Sequence, residues 1–554
     1  MNKDADTSPP SPRTRWEAMS QRPTRFGVSS LFLLVVFCCL VIGCALTFGP
    51  GAAKVYGQST TAAKDSQGWS LFSGPGVWIS KQGSDTSGNG TQAKPFATLD
   101  KALSNSSGGT DIYIGPGTWP AIQGWSRSGT ASDPLVISSW PGQDRPVIDG
   151  GFSTKYQTKT DNLWLVDLDI RAGTADYALD FLGSGANIRV EGCIISQKIG
   201  VRMQASPDTT RYTSPTFYRT CVTDTPNANG VYIQGADGLV IEECSFINAG
   251  GKGNIRHQSV YVHQSCRNAR IINSIVAYAG AGGFQHRVGT TGTSGPAIDE
   301  CFGFNCAIPF QLGHPETRLV GDGNVAAFQA KGTIRNCVAV GGMDTGADAR
   351  GIAFWFDYGN FTSEGNVAMN GGGSQPIAFG NYNGATTTFT GNLGYNWNKP
   401  GEPNVLGSGV TLGAGNDFRY ITKGSVAPAS VYPAPSRGLA EYAGSEAAYF
   451  AGVKANRKGN WFVKFTAKAT NDFLRAGVGR GTVVVPEPPV VVDPPVVVPP
   501  VVVDPPTVPP VEVPVVVTLK QGYTVIVIQG TLPEAVRVKL QAAIEAMLPD
   551  LLRN

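Results

Sequence analysis

Between Val201 and Gly380 the chain returns again and again to a four-residue stretch with apolar residues at its first and third positions. The stretches are Val201-Arg-Met-Gln204, Val231-Tyr-Ile-Gln234, Val260-Tyr-Val-His263, Phe284-Gln-His-Arg287, Phe310-Gln-Leu-Gly313, Ile352-Ala-Phe-Trp355 and Ile377-Ala-Phe-Gly380. Their starts lie 30, 29, 24, 26, 42 and 25 residues apart. A period of two within each stretch predicts a strand, and the longer beat predicts a solenoid with one insertion after Gly313. Cys193, Cys221, Cys244, Ser274, Cys301, Cys337, Asn366 and Asn392 keep the same beat in contexts such as EGCIIS, DECFGF and EGNVAM. Rungs about 4.8 Å apart would stack these small side chains into an internal ladder, with its cysteines as buried free thiols. Cys266 and Cys306 fall outside it.

Strand side chains alternate, so the second and fourth positions face solvent when the first and third face the core. The expected outward column is Arg202, Gln204, Tyr232, Gln234, Tyr261, His263, Gln285, Arg287 and Gln311. Trp355, Asp357 and Tyr358 extend it. His286 falls in the inward phase and is expected to be a packed, hydrogen-bonded core histidine.

With 70 glycines, 15% charged residues and few helical periodicities, the chain reads as all-β. A net charge of +3 without a basic stripe sets nucleic-acid partners aside. At the N-terminus, an uncharged apolar run at 27–48 follows Arg13, Arg15, Arg22 and Arg25. It is long enough to span a bilayer with residues 1–26 in the cytoplasm, or to serve as a long signal peptide. Val41-Ile42-Gly43-Cys44 also fits a loose lipidation pattern. Either way the rest of the chain is expected to be exported, to the cell envelope or beyond it. Residues 49–75 read as a linker. A Pro/Val-rich stretch, 483–517, reads as an extended spacer. Beyond it GYTVIVIQG reads as a strand, and Thr531-Leu532-Pro533-Glu534 opens a helix towards Leu548. This small module, 518–554, is a packing appendage or a site of oligomerisation or docking.

Upstream, VWISKQGSDTSGNGTQAKPFATLDKALSNSSGGTDIYIGPGTW, Val77 to Trp119, resembles the entry module of secreted right-handed parallel β-helix proteins of the pectate-lyase-like superfamily. Its Pro95–Leu103 segment is an amphipathic helix with Phe96, Leu99 and Leu103 on one face, suited to capping the first coil. NDFRYITKGSVA, Asn416 to Ala427, resembles a closing coil. The resemblance implies a right-handed parallel β-helix over 76–430, with 431–482 as its C-terminal extension. It leaves the activity open, because this fold hosts lyases, hydrolases, epimerases and sugar binders.

An acidic polysaccharide is the expected partner of the polar column. Elimination from a uronic acid needs a carboxylate partner, a base near C5 and an acid at the leaving oxygen. Arg287 or Arg202 suits the first, His263 the second and Tyr261 the third. Lys252, Arg256 and His257, in the loop before the same strand, are alternative bases or anion binders. The remaining polar residues of the column would hold substrate. Glu242, Glu243 and Lys252 are only distantly similar to the calcium ligands and lysine base of alginate and chondroitin lyases. A calcium ion is compatible with oxygen ligands of this kind, but neighbouring strand residues face opposite ways. No motif of polygalacturonases, mannuronan epimerases or pectate lyases is present. Two other readings compete: a glycosidase using two of Asp344, Asp348 and Asp357, and a non-catalytic glycan-binding surface or virion protein.

Overall fold

In the computed structural model the described residues are 64–65, 68–70, 76–106, 109–206, 210–225, 228–251, 257–287, 294–313, 331–342, 351–372, 377–398, 405–406, 408–432, 437–481, 515–517 and 526–528. The main unit, within residues 1–483, is a right-handed parallel β-solenoid with three faces. The first face is a 13-stranded parallel sheet running from Gly76–Ile79 to Val410–Leu412, and two further columns of strands form the second and third faces.

The third face carries the repeated stretches. Val201 pairs in register with Val231, then Val260, Phe284, Phe310, Phe354, Phe379 and Val405. The partner of Phe310 is Phe354 and not Ile352, so the insertion is two residues longer than the sequence alignment implied. Two residues is one full strand period, and the facing survives the slip.

A tight corner joins the first face to the second. Its first residue is left-handed in successive coils, including Arg219, Glu243, Asn273, Glu300 and Asn336, with φ between 45° and 53°. That conformation costs a non-glycine residue of order 1–3 kcal/mol, which the corner's hydrogen bonds help to offset. The next residue is the ladder position. Cys244 N donates to Ser274 Oγ (3.1 Å), Cys301 N to Cys337 Sγ (3.4 Å), and Cys337 N to Asn366 Oδ1 (2.9 Å). Asn366 N and Asn392 N continue to Asn392 and Asn416, both at 3.0 Å. Each side chain thus satisfies a corner amide one coil away that no strand partner reaches. Cys221 is an exception to the expected ladder. It pairs with Ile194 and Ser245, one residue past the corner, and Thr220 stands in the ladder instead. Cys266 and Cys306 are buried free thiols, as are the five other described cysteines.

The core complements itself across the solenoid. Inward residues of the second face shrink to Gly303, Ala339, Ala368 and Gly394 where the third face stacks Phe310, Phe354 and Phe379. Those rings lie 5.1 Å and 5.0 Å apart, nearly parallel. Large against small keeps the interior at close-packed density.

The N-terminal helix is shorter than expected, Leu99–Ser104, capped by the Thr98 side chain. Phe96 is extended and forms a parallel bridge with Ile79, while Leu99 and Leu103 pack on the main core. Within the stretch read as a linker, the described residues 68–70 pack on the solenoid: Trp69 is fully buried, and Ser70 donates Oγ–H to Glu191 (2.6 Å). Asp417–Thr422 adds the last rung of the second face, as a closing coil should.

The C-terminal extension turns back along the solenoid as helices Leu439–Ala443, Glu446–Ala455 and Ala467–Gly477. Tyr449, Phe450, Val453 and Leu474 bury the outward residues of the second face, among them Ile275, Phe302, Val338 and Leu393. In the separate unit 484–554, Val515–Val517 pairs antiparallel with Ile526–Ile528. The last residues of the expected spacer are therefore a strand. The run at 27–48 with Cys44, residues 483–514 and the helix expected after Thr531 lie outside the described residues. Among the described residues no helix is long and apolar enough to cross a membrane.

Candidate functional site

Register places the polar column of the third face as expected, Arg202 beside Tyr232, then Tyr261, Gln285, Gln311 and Trp355. Its members differ sharply in what they are free to do. Arg202 is committed to Asp180 by two bonds of 2.7 Å, and its guanidinium stacks on Tyr177 at 3.9 Å. The guanidinium stays charged, and Asp180 offsets that charge within the pair. Asp180 sits one coil before the aligned stretches, in Leu179-Asp-Phe-Leu182, where the same alternation extended backwards would have found it.

Tyr232 donates its hydroxyl hydrogen to Gln234 (2.7 Å), and its ring lies on Tyr261 at 5.3 Å, almost parallel. Tyr261 carries the Arg287 guanidinium on its ring at 4.8 Å and has His263 at 6.3 Å. His263 N donates to Ile233 O and Arg287 N to Val262 O, so the two side chains stand on adjacent rungs beyond the paired strands. Ser265, missed in the sequence, positions the imidazole: its backbone N–H donates to Nδ1 (3.2 Å) and its Oγ lies 2.9 Å from the same atom. A backbone amide can only donate, so Nδ1 accepts and the neutral ring carries its hydrogen on Nε2. Arg287 Nε is buried without a hydrogen-bond partner, and no ion pair to Arg287 exists among the described residues.

Outward facing did not mean exposure. Tyr261, Gln285 and Gln311 are only 6%, 2% and 4% exposed, and Gln285 Nε2 donates to Gln311 Oε1 (2.7 Å). Gln204, Tyr232, Gln234, His263, Arg287 and Trp355 remain half-exposed. Asp357 keeps the outward register but is fully buried. A Cβ on Gly313 would strike its carbonyl oxygen, and Asn383 Nδ2 donates to its Oδ1 (2.7 Å). Tyr358 leaves the column at a left-handed turn (φ 50°) and packs against the main core. Trp355 packs on Tyr382 at 4.9 Å.

The three described histidines stand in different settings. His286 points inward, is 2% exposed, and places Nδ1 2.7 Å from Arg287 O. Burial lowers its pKa to about 4. His257 lies six residues before His263 on the same chain, about 20 Å away at strand rise, and burial lowers its pKa too. Lys252, Arg256, His314, Asp344 and Asp348 lie outside the described residues. Glu242 and Glu243 part company as expected, for Glu243 turns at φ 51° and binds Arg219 (2.5 Å). Among the described residues no group of three or more His, Cys, Asp or Glu side chains is placed to hold a metal ion.

No family model and no curated protein matches the chain. Among solved structures, a rhamnogalacturonan lyase is 15% identical, with 65% of this chain and 90% of that chain covered and a TM-score of 0.40. Pectate lyase Pel9A is 13% identical over 70% of this chain and 86% of that one, with a TM-score of 0.40. An alginate lyase from Paenibacillus sp. is 16% identical over 56% of this chain and 95% of that one, with a TM-score of 0.30. By its own strand pairing the chain is a right-handed parallel β-solenoid, and it resembles these lyases at the level of the fold alone.

Proposed function

We propose that the chain is an exported protein that binds an acidic polysaccharide on its third face and cleaves it by β-elimination around Tyr261, His263 and Arg287. The observation that carries this reading is Arg287: a guanidinium without an acidic partner among the described residues, with a buried unsatisfied Nε, lying on Tyr261 beside His263. A buried donor left unpaired costs about 1–3 kcal/mol, and a substrate carboxylate would recover it in bidentate form. In the elimination the proton on C5 leaves, the C4–O bond breaks, a C4=C5 double bond forms, and the leaving oxygen takes a proton. Tyr261, entering as the phenolate beneath the Arg287 guanidinium, takes the C5 proton and passes it to the leaving oxygen. With Nδ1 accepting from Ser265, His263 offers Nε2–H as a hydrogen bond to the oxygen on which charge develops. This moves the base from His263, the choice that residue type alone suggested, to Tyr261. Return of the proton to C5 from the other side, without C4–O cleavage, would give the C5 epimer. Tyr232, Gln234 and Trp355 flank the centre and would hold neighbouring sugar units.

A second reading, a surface that binds glycans without cleaving them, is favoured by one fact: Tyr261, Gln285 and Gln311 are nearly covered, which narrows the open part of the column. One assay separates the two. Purified protein is offered alginates, pectates and glycosaminoglycans while ultraviolet absorbance of an unsaturated product is followed. The lyase reading expects a signal lost in His263→Ala and Arg287→Ala. Binding without absorbance change or new reducing ends, on every polymer, would replace it with the binding reading.

A further inference from the structure

A cleft of about 690 Å³ opens on the first face, across the three coils that precede Arg202, and on a different side of the solenoid from the polar column. Its floor is Tyr113, Ser138 and Val166, in-register neighbours on three successive strands. Its walls are the turn at Gln143 and Asp144 and the segment Arg457–Asn460 of the C-terminal extension, tied together where Arg457 Nη2 donates to Gln143 O (2.9 Å).

Three features point to a ligand. Tyr113 presents an aromatic floor whose ring is stacked on Trp78 at 4.3 Å, with Trp140 edge-on to Trp78 at 5.2 Å. Gly76 makes room for that stack, since a Cβ there would stand 2.6 Å from the Tyr113 ring. Ser138, 4% exposed, lines the cleft with a buried Oγ that has no hydrogen-bond partner. The charges nearly cancel. Asp167 is paired with Arg145 (2.7 Å), which leaves Asp65 and Asp144 against Arg457 and Lys458.

A volume within the range of small-ligand sites, a rigid aromatic floor, mixed donors and acceptors and no net charge fit an uncharged polyol with an apolar face. We propose that this cleft binds a neutral oligosaccharide of two or three sugar units, stacked on Tyr113 and hydrogen-bonded to Ser138 Oγ. The site is separate from the third face and does not depend on the function proposed there.

Full-length protein in detergent micelles, titrated with cellotetraose, xylotetraose, maltotetraose and chitotetraose by calorimetry and tryptophan fluorescence, tests it. At least one of these should bind and quench or shift the emission, with trigalacturonate failing to compete. Tyr113→Ala should weaken binding at least tenfold and Ser138→Ala three- to fivefold, with polyuronate turnover unchanged in both. Gln143→Ala and Asp144→Ala, on the turn, repeat the test without disturbing the strand and should each weaken binding about threefold. Absence of binding by all four oligosaccharides, or binding unchanged in Tyr113→Ala or in both turn variants, overturns the proposal.

Discussion

The second and third faces are built on the same coils, yet they present opposite outer surfaces. Outward positions of the second face are Ile247, Ile275, Phe302, Phe304, Val338, Val367 and Leu393, buried under the C-terminal helices. Those of the third are Arg202, Tyr232, Tyr261, His263, Gln285 and Arg287. An apolar outer row on a strand that already has an apolar inner row cannot stay in water, so it recruits a covering layer. A polar outer row needs no such layer: Tyr261, Gln285 and Gln311 are nearly covered, but Gln204, Tyr232, Gln234, His263, Arg287 and Trp355 stay half-buried at the surface. The same scaffold thus carries either outer surface, according to the chemistry of the outward phase.

The sharpest way to break this contrast is to make the faces alike. Phe302→Ala removes a fully buried ring between the solenoid and the helices, and should cost about 3–5 kcal/mol in chemical denaturation. Gln311→Ala, at an outward position of the third face, leaves the buried Gln285 donor unpaired and should cost less, about 1–3 kcal/mol. Equal losses would mean that the second face is no more structural than the third.

Within the third face the two arginines give the next contrast. Arg287→Ala should lower polyuronate turnover about 100-fold, the low end for groups that act in the transition state, with little change in stability. Arg202→Ala instead strands Asp180 and should lower the denaturation midpoint with turnover within a few fold. Circular dichroism and the absorbance assay on both variants read the difference; a larger turnover loss in Arg202→Ala would reassign the carboxylate partner.

His286 separates inward from outward by pH. Burial holds its pKa at about 4 in the folded chain against 6.5 for the free group, so the unfolded chain takes up a proton first as pH falls. The stability it contributes is complete above pH 6.5 and is lost progressively between 6.5 and 4. His286→Gln should flatten that limb of the unfolding midpoint against pH, and an unchanged slope would place the dependence elsewhere.

The smallest effect lies at Asp417, which ties the last rung of the second face to the extension through Tyr432 (2.9 Å) and to Arg419 (2.7 Å). Its hydrogen bond from Arg419 lowers its pKa to about 2. The stability it gives is present above the unfolded value near 4 and is lost as pH falls towards 2. Because Arg419 is largely exposed, Asp417→Asn should cost under about 1 kcal/mol at neutral pH. A loss several times larger would show that this tie holds the whole helical layer in place.

Sequence alone determined the coil. Alternation at Val201, Val231, Val260, Phe284 and Phe310, on a beat of 24 to 30 residues, is a local pattern that strand geometry converts directly into stacked rungs and an outward column. It also placed His286 inward. Tertiary structure decided what that pattern cannot encode: which outward groups are already spent and which are covered. Arg202 is paired with an aspartate 22 residues earlier, Asp357 is fully buried with Asn383 on its carboxylate, and Cys221 slips off the ladder by one corner residue. The doubly apolar strands of the second face, such as SIVAYA and CVAVGG, carried the signal for a covering layer, but what covers them is more than 100 residues away for most. Facing is set by local backbone geometry; pairing and exposure are set by whichever distant segment packs alongside, and no short window of sequence contains both.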